Sequence, residues 1–123
     1  MNPKKILVVD DEADLVKTIR FSLEMEGYTV SVSYNGEDAL NQARKENPDL
    51  ILLDIMLPKL DGYKVCRLLK FDEKYKHIPI LMLTAKTQEK DKMLGMETGA
   101  DEYITKPFDI DELIEKVKTY LNK

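Results

Sequence analysis

Asp54 fits its neighbours least. It interrupts Leu50 to Leu57, a stretch in which every other residue is apolar. A carboxylate beside so much apolar surface is costly unless it is paired or holds a cation. An aspartate at a strand end can also cap the turn that follows, so alone it leaves both readings open. Three further segments carry polar groups just past a strand-like run. Asp10 and Asp11, with Glu12 behind them, follow Ile6 to Val9; Thr84 and Ala85 follow Ile80 to Leu83; Thr105, Lys106 and Pro107 follow Glu102 to Ile104. Each has an ordinary reading by itself. Asp10 or Asp11 would suit the start of a helix, Thr84 a strand end, and Lys106 a solvated loop whose bond to Pro107 is free to be cis. Taken jointly they supply carboxylates, a hydroxyl and an ammonium. Adjacent carboxylates repel unless a hard divalent cation lies between them, and Mg2+ suits few carboxylates, several waters and phosphate oxygens. The chemistry of such a set is phosphoryl transfer to a carboxylate, with Asp54 the nucleophile and Lys106 and Thr84 on the phosphoryl oxygens.

These groups meet only if the chain carries them to one place. Ile6 to Val9, Leu50 to Leu53 and Ile80 to Leu83 are unbroken apolar runs, the pattern of strands buried on both faces. Tyr28, Val30 and Val32 alternate with Thr29, Ser31 and Ser33, which predicts an edge strand with one wet face. Glu102 to Ile104 is a short fifth strand. Between the strands the apolar period is helical: Leu15, Val16, Ile19 and Leu23 before Gly27; Ala39, Leu40 and Ala43 before Pro48; Val65, Cys66, Leu68 and Leu69. A more polar helix is expected over roughly Gln88 to Glu97. A last one opens at Asp109, with Glu112 as a capping-box partner, and presents Leu113, Ile114, Val117 and Leu121. Alternating strands and helices imply an α/β protein with a parallel, doubly wound, flavodoxin-like sheet of five strands in order 2-1-3-4-5 and five helices. In such sheets ligands bind beyond the carboxyl ends of the strands, where all the residues named above would lie.

The 123 residues fit one domain, expected to span 1–123 with no output domain attached. The net charge of −4 makes the chain a poor binder of nucleic acid or anionic membranes. No apolar run is long enough to span a bilayer, and Cys66, the single cysteine, fits a reducing cytoplasm.

The motifs Ile6–Glu12, Pro48–Asp54, Leu57–Gly62, Leu83–Ala85, Gly99–Tyr103 and Lys106–Phe108 resemble, in order and spacing, the receiver domains of two-component response regulators, chemotaxis receivers among them. The resemblance covers the chain from end to end. It implies a phosphorylation-activated switch, not an enzyme acting on other molecules, with Asp54 the phosphoacceptor. It implies Mg2+, or Mn2+ in its place, on Asp10, Asp11, Asp54 and the backbone carbonyl of Met56, with Asp11 the more direct ligand of the acidic pair. Thr84 becomes the switch hydroxyl, Tyr103 the switch aromatic and Lys106 the phosphate-contacting lysine. The implied partners are a sensor histidine kinase or phosphotransfer protein, and an output protein at the face of the fourth helix, fifth strand and last helix. The resemblance further implies a monomer or a phosphorylation-dependent dimer in the cytoplasm, touching neither nucleic acid nor membrane.

The rival readings are weaker. A haloacid-dehalogenase-like phosphohydrolase would want an Asp-x-Asp spacing that Asp10-Asp11-Glu12 lacks, and a flavodoxin-type flavin module would want a Ser/Thr/Gly-rich loop where the acids stand. A receiver fold serving as an unphosphorylated scaffold would not need the complete acidic set. Residue by residue, Tyr103 reads equally as strand packing, Met82, Met93 and Met96 as core filler, and His77 as a loop residue without a second soft ligand. Lys64, Arg67, Lys70, Lys74 and Lys76 form a basic stretch, read as a solvated helix face or a docking surface for an acidic partner. Met56 and Lys86 are expected to flank the approach of water to a phosphoryl group on Asp54. Neither can act as a base at neutral pH, which predicts slow dephosphorylation.

Overall fold

A computed structural model of the chain describes residues 3–85 and 99–122. Five parallel strands, β1 (Lys5–Val9), β2 (Thr29–Ser33), β3 (Leu50–Asp54), β4 (Ile80–Ala85) and β5 (Glu102–Lys106), form one sheet in the order β2-β1-β3-β4-β5. This is the doubly wound, flavodoxin-like order expected from the sequence. The helices among the described residues are α1 (Ala13–Met25), α2 (Gly36–Glu46), α3 (Gly62–Lys70) and α4 (Ile110–Leu121). The helix expected over Gln88 to Glu97, with Met93, Met96 and the neighbouring Lys86, lies outside the described residues.

Side chains alternate across the central strands, and each face buries its own layer. Ile6, Val8, Leu50, Leu52, Leu81 and Leu83 face α1 and α4, meeting Val16, Ile19, Leu23, Leu113 and Val117. Leu7, Val9, Ile51, Leu53, Ile80 and Met82 face α2 and α3, meeting Ala39, Ala43, Val65, Cys66 and Leu69. Covering both faces is what makes β1, β3 and β4 read as unbroken apolar runs. β2 is an edge strand, as its alternation predicts, with Thr29 exposed and Val30 buried. Gly27 follows α1 with φ 95°, and Asn47 ends α2 with φ 50° just before Pro48.

Two local expectations change. Leu68, one of the four apolar residues whose spacing predicts this helix, is 46% exposed, because α3 turns Val65, Cys66 and Leu69 inward. Four apolar residues spread over five positions cover more of a helix than one buried stripe, so one of them faces out. The Asp109 cap forms with the N–H of Asp111 at 2.8 Å, two residues on, rather than with that of Glu112.

Candidate functional site

The register brings the strand ends level. Val9 pairs with both Ser33 and Leu53, Asp54 with Leu83, Thr84 with Thr105, and Ala85 with Lys106. The residues at or just past these ends therefore share one rim. Its centre is where β1 lies between β2 and β3, the point at which a doubly wound sheet reverses direction and leaves a crevice.

Asp10 is fully buried and makes two contacts. Its Oδ1 accepts the Glu12 N–H at 2.9 Å, at the entry to α1, and its Oδ2 accepts from Lys106 Nζ at 2.7 Å. The bond to Glu12 shapes the turn before α1 rather than capping it: Glu12 is the N-cap residue and no side chain caps this helix, so the helix-start reading of Asp10 gives way to the site reading. Asp11 is exposed, and Asp54 is 5% exposed. Carboxylate oxygens of Asp10, Asp11 and Asp54 lie within 4.8 Å of one another. Lys106 Nζ sits 3.6 Å from Asp54 Oδ1 and 3.5 Å from Glu12 Oε1.

This crowding sets the protonation chemistry. Burial, and then the charge of Asp10, push the Asp54 carboxyl up to about 6, against the pull of Lys106 and of the Met56 N–H; Asp11 adds to the rise. Burial pulls the Lys106 ammonium down, but its hydrogen bond to Asp10 and the charges of Asp54 and Glu12 outweigh that, and its pKa ends raised. Lys106 is therefore charged, and Asp54 is mostly ionised at neutral pH. One ammonium among three close carboxylates leaves the crevice negative. Hard oxygen donors at this spacing fit a divalent cation of the Mg2+ type.

The other expected residues surround this centre at different depths. Met56 donates its N–H to Asp54 Oδ1 at 3.3 Å, while its side chain is 64% exposed. Thr84 is fully buried, one residue past the partner of Asp54, and its hydroxyl donates to the Ala85 carbonyl at 3.2 Å. Tyr103 lies farther down β5, pairs with Met82 and packs on the α2–α3 side with its phenol oxygen buried. Lys106 and Pro107 are joined by a cis peptide bond.

Sequence reasoning missed the glycines that shape the loop after Asp54. A Cβ on Gly62 would lie 2.2 Å from the Asp54 carbonyl oxygen, and one on Gly36 would lie 1.7 Å from that of Leu60. The Gly62 N–H donates to Ile55 O at 2.9 Å, and the Gly36 N–H to Pro58 O at 3.2 Å, which folds residues 55–61 back over the strand ends. Asp61-Gly62 carried a turn signal but nothing about closeness to Asp54. Ser33 was missed as well. It is fully buried, its carbonyl accepts the Asp10 N–H at 3.2 Å, and its hydroxyl donates to Asp38 at 2.8 Å.

Comparison with known proteins gives the family of a chain with this sheet and this acidic rim. Residues 6–118 match the response regulator receiver domain family. The chain belongs to that family, the receiver domains of two-component systems. It is 52% identical over 120 residues to the alkaline phosphatase synthesis transcriptional regulatory protein PhoP of Bacillus subtilis, covering 98% of this chain and 49% of that protein. The chain thus spans about half the length of that curated relative. Among solved structures, the receiver domain of a Francisella response regulator aligns with TM-score 0.86 and 35% identity over 98% of both chains. The chemotaxis response regulator CheY4 of Vibrio cholerae aligns with TM-score 0.90 and 30% identity, covering 97% of this receiver domain and 99% of that chain. No helix among the described residues is long and apolar enough to cross a membrane.

Proposed function

We propose that this receiver domain accepts a phosphoryl group on Asp54 from a phosphohistidine of a sensor histidine kinase or a phosphotransfer protein. The supporting observation is the meeting of the Asp10, Asp11 and Asp54 carboxylates within 4.8 Å, with Lys106 reaching both Asp10 and Asp54. A carboxylate oxygen of Asp54 attacks phosphorus, the P–N bond breaks, the imidazole leaves and an acyl phosphate forms. The raised pKa of Asp54 makes its carboxylate a better nucleophile than an exposed one while leaving it mostly ionised at pH 7. Lys106, steered by Asp10, presents a fixed positive charge to the incoming oxygens, so the contribution is positioning and neutralisation. Asp10, Asp11, Asp54 and the Met56 carbonyl are the groups that would hold Mg2+, or Mn2+ in its place. The bound cation supplies charge neutralisation between carboxylates and phosphoryl oxygens.

Thr84 then moves its hydroxyl from the Ala85 carbonyl to a phosphoryl oxygen. Tyr103, partly buried here with its phenol oxygen covered, turns further inward to fill the space that Thr84 vacates, a shift of population between two arrangements. The signal leaves by the face of β5, α4 and the helix expected over residues 88–97, toward an output partner or a second phosphorylated copy. This is regulation rather than catalysis on another molecule, and its place is the cytoplasm, where histidine kinases draw on ATP.

The test is incubation with acetyl phosphate and Mg2+, read by intact mass. Wild type gains one phosphoryl group, Asp54→Asn gains none, and Asp11→Ala loses the Mg2+ dependence while keeping its fold. Phosphorylation of Asp54→Asn at the wild-type rate rejects the acceptor, and an unchanged Mg2+ titration in Asp11→Ala rejects the ligand set.

A further inference from the structure

Away from the acidic rim, an open groove of about 740 Å³ runs between the end of α2 and the end of α3, lined by Arg44, Arg67, Leu68, Phe71, Asp72 and Glu73. Leu68 and Phe71 stand three residues apart on one side of α3 and are 46% and 70% exposed. They are two neighbouring large apolar side chains left to water by a helix that buries its opposite side. Arg44 and Arg67 line the groove with them, beside the acids Asp72 and Glu73. Lys64 to His77 carries Lys64, Arg67, Lys70, Lys74 and Lys76 against two acids, Asp72 and Glu73, and Arg44 and Lys45 add to it from α2. Lys70 is spent on Asp101 at 2.9 Å and Lys76 on Glu73 at 2.9 Å. Among the described residues, Arg44 and Arg67 make no ion pair. A patch of net positive charge thus sits on a chain of net charge −4.

We propose that this α2–α3 groove docks an acidic segment of a partner protein that inserts an apolar side chain between Leu68 and Phe71. Charge complementarity selects this occupant. A second copy placed by a two-fold axis would set the cationic patch against itself, which like-charge repulsion opposes. A nucleic acid would meet the same cations but also the net negative charge of the whole chain, and its backbone would leave the apolar pair uncovered. An acidic segment with an apolar anchor satisfies both the arginines and the apolar pair, the arrangement in which one buried anchor carries most of the affinity while rim charges set orientation and on-rate. The groove is shallow and open, which suits a polypeptide laid across it better than an enclosed small molecule.

The probe is a synthetic amphipathic peptide of glutamates and aspartates with leucine every third or fourth residue, titrated into the 15N-labelled chain. Poly-glutamate, a charge-reversed lysine version and a single-stranded oligonucleotide serve as comparisons. Amide shifts are expected at Arg44, Arg67, Leu68 and Phe71, weakening as salt is raised. Leu68→Ser with Phe71→Ser, and separately Arg67→Glu, are expected to weaken binding about tenfold or more. These residues are exposed and outside the acidic rim, so melting temperature and acetyl-phosphate labelling of Asp54 stay at wild-type values in the variants. Shifts mapping elsewhere, affinity unchanged in the variants, or poly-glutamate binding as well as the leucine peptide would overturn the proposal. Tighter binding of the oligonucleotide, or a wild-type dimer in sedimentation that Phe71→Ser dissolves, would overturn it in favour of those occupants.

Discussion

Asp54 is held in a state that folding alone would not choose. Its carboxyl rises to about 6 from an ordinary value of 3.8, with burial the largest cause. The folded chain therefore holds this proton more tightly than the unfolded chain does. Raising the pH from about 4 to about 6 strips it away and removes stability, by on the order of 1–3 kcal/mol in metal-free protein. Urea unfolding in EDTA should accordingly show Asp54→Asn more stable than wild type at pH 7, with the gap closing toward pH 4 and shrinking when Mg2+ is added at pH 7. A variant less stable than wild type at pH 7 without metal would contradict this electrostatic picture. A second residue-scale expectation concerns how long the acyl phosphate lasts. Met56 follows Asp54 by two residues and offers no base to orient a water. Met56→Asn, which can hold one, should hasten phosphate release, and an unchanged or slower release would reject a role for that side chain. Asp54 was legible in the sequence because it alone broke an apolar run. Which of Asp10 and Asp11 would be buried was not legible, since both are aspartates at a strand end and only the reach of Lys106 and the turn into α1 separate them.

At the scale of elements, the strands were legible because burial on both faces writes continuous apolar runs, and the edge strand because one wet face writes alternation. The contacts that bend the loop after Asp54 were not, because a glycine in a sequence signals freedom without saying what comes close. Gly62→Ala would drive a methyl into the Asp54 carbonyl, and Gly36→Ala into that of Leu60. Each should cost on the order of 3 kcal/mol in urea unfolding, at the upper end for overpacking, because backbone rather than a pliant side chain must yield. Gly27→Ala meets nothing within 4 Å but must hold φ 95°, and should cost about 1–2 kcal/mol. Equal losses at all three positions would show that backbone angle, and not close approach, decides. The exposure of Leu68 was not legible for a related reason: helical period shows how many apolar residues share a helix, while the helix's neighbours decide which of them turns outward.

For the whole molecule, the order β2-β1-β3-β4-β5 gathers four distant stretches of chain at one rim, with Thr84 on β4 and Tyr103 on β5 the proposed link from that rim to the sheet edge. Coupling along this route predicts that Thr84→Ala still accepts a phosphoryl group but transmits less of it. Amide shifts on phosphorylation should shrink over β5 and α4 relative to wild type, and identical shifts in the two phosphorylated proteins would count against Thr84 as the link. The proposed function depends on Asp54 supplying the oxygen that bonds to phosphorus, and chemical trapping tests that most directly. Borohydride reduces an aspartyl phosphate to homoserine, so the chain labelled with acetyl phosphate and Mg2+ can be reduced, digested and sequenced by tandem mass spectrometry. Homoserine at position 54, and at no other aspartate of the rim, is the result predicted; homoserine at Asp10, Asp11 or Asp61, or a labelled chain with an intact Asp54, would contradict it.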